Sequence, residues 1–154
     1  GTTRGPVKYL FDTNVYVALL TERDLIEHVT PLLRRILPAT WLSSVVQFEL
    51  LRGAHGQMGR ARVARATRAL ERTGRVIAPT REEWAASGTV QSRIWDEHPS
   101  QRTKDLQNDL LIVSGARRIG ALVVTENRRD FELIGRYLPH AARSLDELTS
   151  DLAV

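Results

Sequence analysis

Four short, mostly apolar runs punctuate the chain: Val7-Lys8-Tyr9-Leu10-Phe11, Thr40-Trp41-Leu42-Ser43, Arg75-Val76-Ile77-Ala78 and Ala121-Leu122-Val123-Val124. Successive residues of a strand point to opposite faces, so a strand that is apolar at neighbouring positions needs cover on both sides. Sheets covered on both faces are typically parallel, and parallel strands need long crossovers, usually helices. The intervening segments read as those crossovers. Apolar positions in residues 15–20, and Leu25, Ile26, Val29, Leu32, Leu33 and Ile36 ahead of Pro38, recur at helical spacing. Ser43 or Ser44 caps a helix over residues 45–54 that ends at Gly53 and Gly56, and it should be mostly buried. Residues 58–73 form a basic amphipathic helix. Thr80 with Glu83 makes a capping box for residues 82–96, and residues 105–119 form a strong helix ended by Gly120. A short helix carrying Phe131, Leu133 and Ile134 follows Thr125-Glu126-Asn127, and residues 145–153 show no strong pattern. The expectation is one α/β domain over the 154 residues, with a central parallel sheet between helical layers.

Composition narrows the chemistry. No cysteine is present, which removes disulfides, thiol nucleophiles, zinc fingers and iron–sulfur clusters. No apolar run approaches the roughly 18 residues of a membrane span, and residues 1–8 are polar without a leader's apolar stretch, so a cytoplasmic, membrane-free protein is expected. The net charge is +4, and of 22 cations only Lys8 and Lys104 are lysines. Arginine is the better partner for planar, bidentate phosphate contact, so the balance tilts toward polyanions.

Acids then sit where apolar residues would be expected. Ligands of open parallel sheets bind beyond the carboxyl ends of the strands. Asp12 follows the first strand, Asp130 follows the last, Asp109 precedes Leu110-Leu111-Ile112-Val113, and Glu49 lies between Phe48 and Leu50. Singly, each has a structural reading: Asp105 faces a helix dipole, Glu49 has Arg52 three residues on, and only Asp109 lacks an obvious local cation. Gathered at one sheet edge, four carboxylates repel unless cations occupy the cluster. Oxygen donors without His or Cys suit Mg²⁺ or Mn²⁺, and a hard ion on a basic protein suits phosphodiester hydrolysis by activated water. His28, His55, His98 and His140 read as surface residues. There is no Walker A or Gly-x-Gly-x-x-Gly motif, and Asn14 departs from the second Asp of a haloacid-dehalogenase-type phosphatase.

These residues carry a family resemblance. Leu10-Phe11-Asp12-Thr13-Asn14, residues 43–53 around Phe48-Glu49-Leu50, Asn108-Asp109-Leu110-Leu111-Ile112 and Thr125-Glu126-Asn127-Arg128-Arg129-Asp130-Phe131 stand in an order and spacing that strongly resembles the PIN-domain ribonucleases, and within them the VapC-type toxins. The resemblance spans about residues 7–138. It implies a PIN-like three-layer α/β/α sandwich with a central parallel sheet. It implies a metal site for Mg²⁺ or Mn²⁺ from Asp12, Asp109, Glu49 and Asp130. Asp12 and Asp109 would be the principal ligands, and Glu49 would act directly, through water or as general base. Asp130 would share or replace the role of an acid that many relatives carry where Asn127 stands. Asn14 and Thr125 would hydrogen-bond the carboxylates or the attacking water, with helix capping as the other reading of Thr125.

The resemblance further implies an endoribonuclease toxin cutting single-stranded or loop RNA, a homodimer, and a cognate VapB-type antitoxin covering a groove near the first helices. Residues 15–20 and 25–36 are the candidate lining of that groove. Arg60, Arg62, Arg65, Arg68 and Arg72 read either as a solvated face or as an RNA-backbone clamp. Arg117, Arg118, Arg128 and Arg129 are the second choice for phosphate contact. Trp41 is assigned to the core, and Trp84 and Trp95 to core or interface. The alternative function is a PIN-fold RNA- or protein-binding module without nuclease activity, for which Asn127 is the foothold.

Overall fold

The computed structural model describes residues 6–154; the polar start expected to carry no leader lies partly outside them, at residues 1–5. Strands β1 (Lys8–Phe11), β2 (Thr40–Ser43), β3 (Val76–Ile77), β4 (Ala121–Val124) and β5 (Ala142–Arg143) form one sheet in the order β3-β2-β1-β4-β5, with every pairing parallel. The central strands are covered on both faces: Leu10, Phe11, Leu42, Val123 and Val124 are all essentially inaccessible. Helices flank the sheet as a three-layer α/β/α sandwich. They are α1 (Thr13–Thr21), α2 (Arg23–Ile36), α3 (Ser44–Gly53), α4 (Gly56–Arg72), α5 (Arg81–Glu97), α6 (Gln107–Ile119), α7 (Arg128–Gly135) and α8 (Leu145–Asp151).

The helix ends follow local chemistry. The Ser43 hydroxyl accepts from the Val45 N–H to start α3. Thr80 and Glu83 form the expected reciprocal box at α5, with bonds of 3.1 and 2.9 Å. Gly120, at φ +68°, takes the left-handed conformation that closes α6. Asp105 stands ahead of α6 rather than in its first turn, and its carboxylate accepts the Gln107 N–H at 2.9 Å.

Three expectations are corrected. Residues 145–153 are not patternless: α8 is opened by a capping box in which Ser144 and Glu147 exchange bonds of 3.1 and 3.0 Å. Trp41 is only half-buried, because the strand turns its ring to the flank, where the Lys8 ammonium lies 5.3 Å above it. Helix α3 is amphipathic rather than buried, leaving Phe48 57% exposed under the Arg52 guanidinium.

The topology places the functional crevice. From β1 the chain moves outward through β2 to β3, then returns to the other side of β1 for β4 and β5. The direction of winding therefore reverses between β1 and β4, and ligands of open α/β sheets bind outside the carboxyl ends at such a reversal.

Candidate active site

Asp12 follows β1 directly. Its N–H donates to the Val124 carbonyl at 2.9 Å, which ties the ends of β1 and β4 together. One carboxylate oxygen accepts the Thr13 N–H at 2.8 Å and caps α1; the other accepts the Thr125 hydroxyl at 2.9 Å. Thr125 meets the first reading and not the capping one: its hydroxyl oxygen also accepts the Asn127 N–H at 2.9 Å, in the turn ahead of α7, whose N-cap is Asn127. Burial raises the Asp12 carboxyl above the usual range; the bonds from Thr125 and Thr13 oppose this, and the charges of Glu49 and Asp130 add to it.

Asp109 projects from the first turn of α6 and is half-buried. Its carboxyl is pushed up to about 7, first by desolvation, then by the charges of Asp12, Asp130 and Glu49. The cation that sequence reading did not find for it is Lys104, whose charge pulls the carboxyl part of the way back. Glu49, on α3, accepts the Thr13 hydroxyl at 2.7 Å and has the Arg52 guanidinium only at 3.9 Å, so the local pair considered for it is loose. Asp12, Glu49 and Asp109 border one open recess of about 480 Å³, together with Thr13, Asn14 and Asn127.

Asp130 stands apart from that recess. The Lys104 ammonium lies 2.5 Å from Oδ1, and the Asn127 amide donates to Oδ2 at 2.9 Å. Among the described residues no three acids or histidines converge as a ready-made ion site. The donor chemistry nevertheless fits a hard cation, since the recess offers carboxylate oxygens whose protonation range is raised first by burial and further by neighbouring carboxylates. Asn14 borders the recess, and its side-chain oxygen accepts the Glu126 N–H at 3.4 Å in the turn after β4.

The arginines divide. On α4 the inward residues are Val63, Thr67 and Leu70, while Arg60, Arg65 and Arg68 are exposed and make no ion pair among the described residues. None of the three borders the acidic recess. The one acid of the helix, Glu71, is engaged by Gln47 and Thr67 at 2.9 Å each. Arg128 pairs with Glu147, Arg118 with Glu83, and Arg117 bonds the Pro139 carbonyl, whereas Arg129 borders a second recess beside Lys104 and Asp130. Sequence reading missed Thr13 and Lys104. The first had a signal in its place between Asp12 and Asn14; the second reaches its partner across 26 residues and had none.

Residues 9–137 match the PIN domain. The chain belongs to the PIN domain family. Its fold is shared with solved structures of VapBC-1 from nontypeable Haemophilus influenzae (23% identity, TM-score 0.63, covering 91% of this chain and 99% of that one). It is likewise shared with DNA-bound VapBC from Salmonella typhimurium (20%, 0.66, 91% and 99%) and FitAcB from Neisseria gonorrhoeae (19%, 0.62, 89% and 97%). Comparison with curated proteins returns no match. In this PIN domain, then, the sheet-edge recess is bordered by Asp12, Glu49 and Asp109, while Asp130 pairs with Lys104 outside it.

Of the groove lining expected on α1 and α2, the α1 part borders an apolar recess and much of the α2 part is packed inward. Helix α2 turns Val29, Leu32 and Ile36 into the core. The apolar recess, of about 410 Å³, runs between α1, α3 and α4, past Val17, Leu20, Leu50, Met58 and Val63, and meets the acidic recess at Glu49. No helix among the described residues is long and apolar enough to cross a membrane.

Proposed function

We propose that this PIN domain is a metal-dependent endoribonuclease, the toxin of a bacterial toxin–antitoxin pair, acting in the cytoplasm on single-stranded or loop RNA. The observation that carries the reading is that Asp12 and Asp109 border one recess at the β1–β4 crevice, each carboxyl raised first by burial and then by neighbouring carboxylates, Glu49 and Asp130 at Asp12, and Asp12, Asp130 and Glu49 at Asp109. Such an arrangement is costly to the empty fold and is relieved by a divalent ion. Asp12 and Asp109 would hold Mg²⁺ or Mn²⁺, with Glu49 beside them. The bound ion supplies an activated water and neutralises charge developing on the phosphate. The chain's own residues do the rest. Thr125 and the Thr13 N–H fix both Asp12 oxygens, Thr13 orients Glu49 toward the recess as the group to take the water's proton, and Asn14 holds the turn that carries Thr125.

Arg60, Arg65 and Arg68, free of ion pairs, would hold the RNA backbone away from the cut, with Arg129 nearer to it; Arg128 would first have to leave Glu147. A VapB-type antitoxin would lay apolar side chains along the recess between α1, α3 and α4, where Met58 is 83% exposed, and so close the acidic recess at Glu49. Two copies would pair as a homodimer. A binding module without nuclease activity is the second reading, favoured by the Lys104 ammonium on Asp130 and by Asn127 in place of an acid.

The test is incubation of the purified protein with tRNA and structured RNA in Mg²⁺, Mn²⁺ or EDTA, beside Asp12→Asn. Discrete cuts that require metal and fall by more than about 100-fold in the variant are expected, since even groups that only support a ligand cost 10- to 100-fold. Salt-sensitive RNA binding without cuts would select the binding module.

A further inference from the structure

Lys104 is one of two lysines in an arginine-rich chain, and its ammonium is delivered to the acid cluster by a constrained loop. Its N–H donates to the Gln101 carbonyl at 2.9 Å, and its carbonyl accepts the Trp95 indole N–H at 3.2 Å. Two residues on, the Leu106 N–H is held by the Gln91 side chain at 2.7 Å. The loop is therefore fixed at the lysine's carbonyl and two residues on by α5, and at its N–H by the preceding turn at Gln101.

The consequence is an asymmetric cluster. Asp130 is buried, and both of its oxygens are engaged, one by Lys104 and one by Asn127. It borders a recess shared with Lys104, Arg129 and Arg136, which adds cations to that side. Asp12, Glu49 and Asp109 border the other recess, where the Arg52 guanidinium stays 3.9 Å from Glu49. A dication entering on the Asp130 side would have to displace an ammonium already in contact, or sit beside it against like-charge repulsion. One entering between Asp12 and Asp109 meets three carboxylates, with the Lys104 charge felt at Asp109 but its ammonium in contact with Asp130.

We infer that Lys104 takes the place of a second metal ion: the chain holds one divalent cation, on the Asp12–Glu49–Asp109 side, and Asp130 anchors the lysine instead of coordinating metal. This rests on the metal-dependent reading above. Lys104 is thus a positioning residue that fixes the ion count and keeps permanent positive charge at the Asp130 end of the cleft.

Titration of the full chain with Mn²⁺, followed calorimetrically and by the signal of free Mn²⁺, tests it. Wild type is expected to take one ion per chain. Asp130→Asn should still take one, with affinity changed by no more than about fivefold, the scale of a single exposed pair. Lys104→Met should take a second, weaker ion at the uncovered Asp130, and Lys104→Arg should return the count to one. Two ions in wild type, loss of the ion in Asp130→Asn, or a single ion in folded Lys104→Met would overturn the inference. Should Lys104→Met fail to fold, wild type, Asp130→Asn and Lys104→Arg decide it. RNA cleavage is read separately. Cleavage with two ions sinks the lysine's role alone, one ion without cleavage sinks the nuclease alone, and a chain that binds no ion sinks both.

Discussion

Asp109→Asn should make the metal-free protein more stable, and only above acidic pH. The Asp109 carboxyl is raised from 3.8 to about 7 in the folded chain. Between those values the folded state holds a proton that the unfolded state has released, so stability falls as pH rises, and the whole cost is present above about 7. That displacement amounts to on the order of 4 kcal/mol; solvent screening at a half-buried side chain reduces it to about 2 kcal/mol. Asparagine keeps the size and removes the charge. It forfeits the carboxylate's favourable place in the first turn of α6, about 0.3–1 kcal/mol. The net gain at pH 8 in EDTA is then about 1–2 kcal/mol, or roughly 3–6 °C in Tm for a chain of this length.

Thermal melts of both proteins from pH 5 to 8 read this directly. The gain should shrink steadily as pH falls toward 4, because wild-type Asp109 becomes neutral in both states. Saturating Mn²⁺ should invert the order, since an ion at about 100 times its Kd adds about 2.7 kcal/mol to the protein that binds it. A variant no more stable than wild type at pH 8 in EDTA would refute the account. So would a gain equal at pH 5 and pH 8, because the repulsion invoked exists only when the carboxyl is ionised.

The remaining predictions address separate parts of the molecule. Thr125→Val removes the hydroxyl bond to Asp12 and should weaken Mn²⁺ binding about 10- to 100-fold, with Thr125→Ser restoring it, as calorimetry would show. Replacing Arg65 and Arg68 together by Glu should weaken binding to all RNA sequences alike, and lower the slope of log affinity against log salt by at least about 1 per arginine removed. Gly115→Ala sets a Cβ 2.9 Å from the Ile77 Cδ1 atom, the movable end of that side chain, while alanine gains about 0.8–1 kcal/mol as a helix former. Urea unfolding should report a net change under about 1 kcal/mol, and a more stable protein when Ile77→Val is added.

What could be read from the sequence follows the range of each interaction. Strands β1, β2 and β4 were legible because burial on both faces writes itself as consecutive apolar residues, and the α5 box was legible because its two partners lie three residues apart. Strand β5 was not, since Ala142–Arg143 offers no β-branched or apolar pair, whereas the equally short edge strand β3 shows itself as Val76-Ile77. Helix α8 had the same local signal as α5, Ser144 with Glu147, but only seven residues in which to show a period.

The site obeys the same rule with one difference. The Thr125 hydroxyl reaches Asp12 across 113 residues, and nothing local to either predicts the bond. It was foreseeable because the pattern of buried strands implies a parallel sheet, and a parallel sheet brings the residues after its adjacent strands to the same edge. Asp12 and Thr125 each follow such a strand, so the topology carries them together. Lys104 follows no strand: its place depends on how a loop is braced by Trp95 and Gln91 from α5, which is side-chain packing rather than topology. The carboxylates of this PIN domain were therefore legible through the sheet, whereas the cation that unbalances them was not.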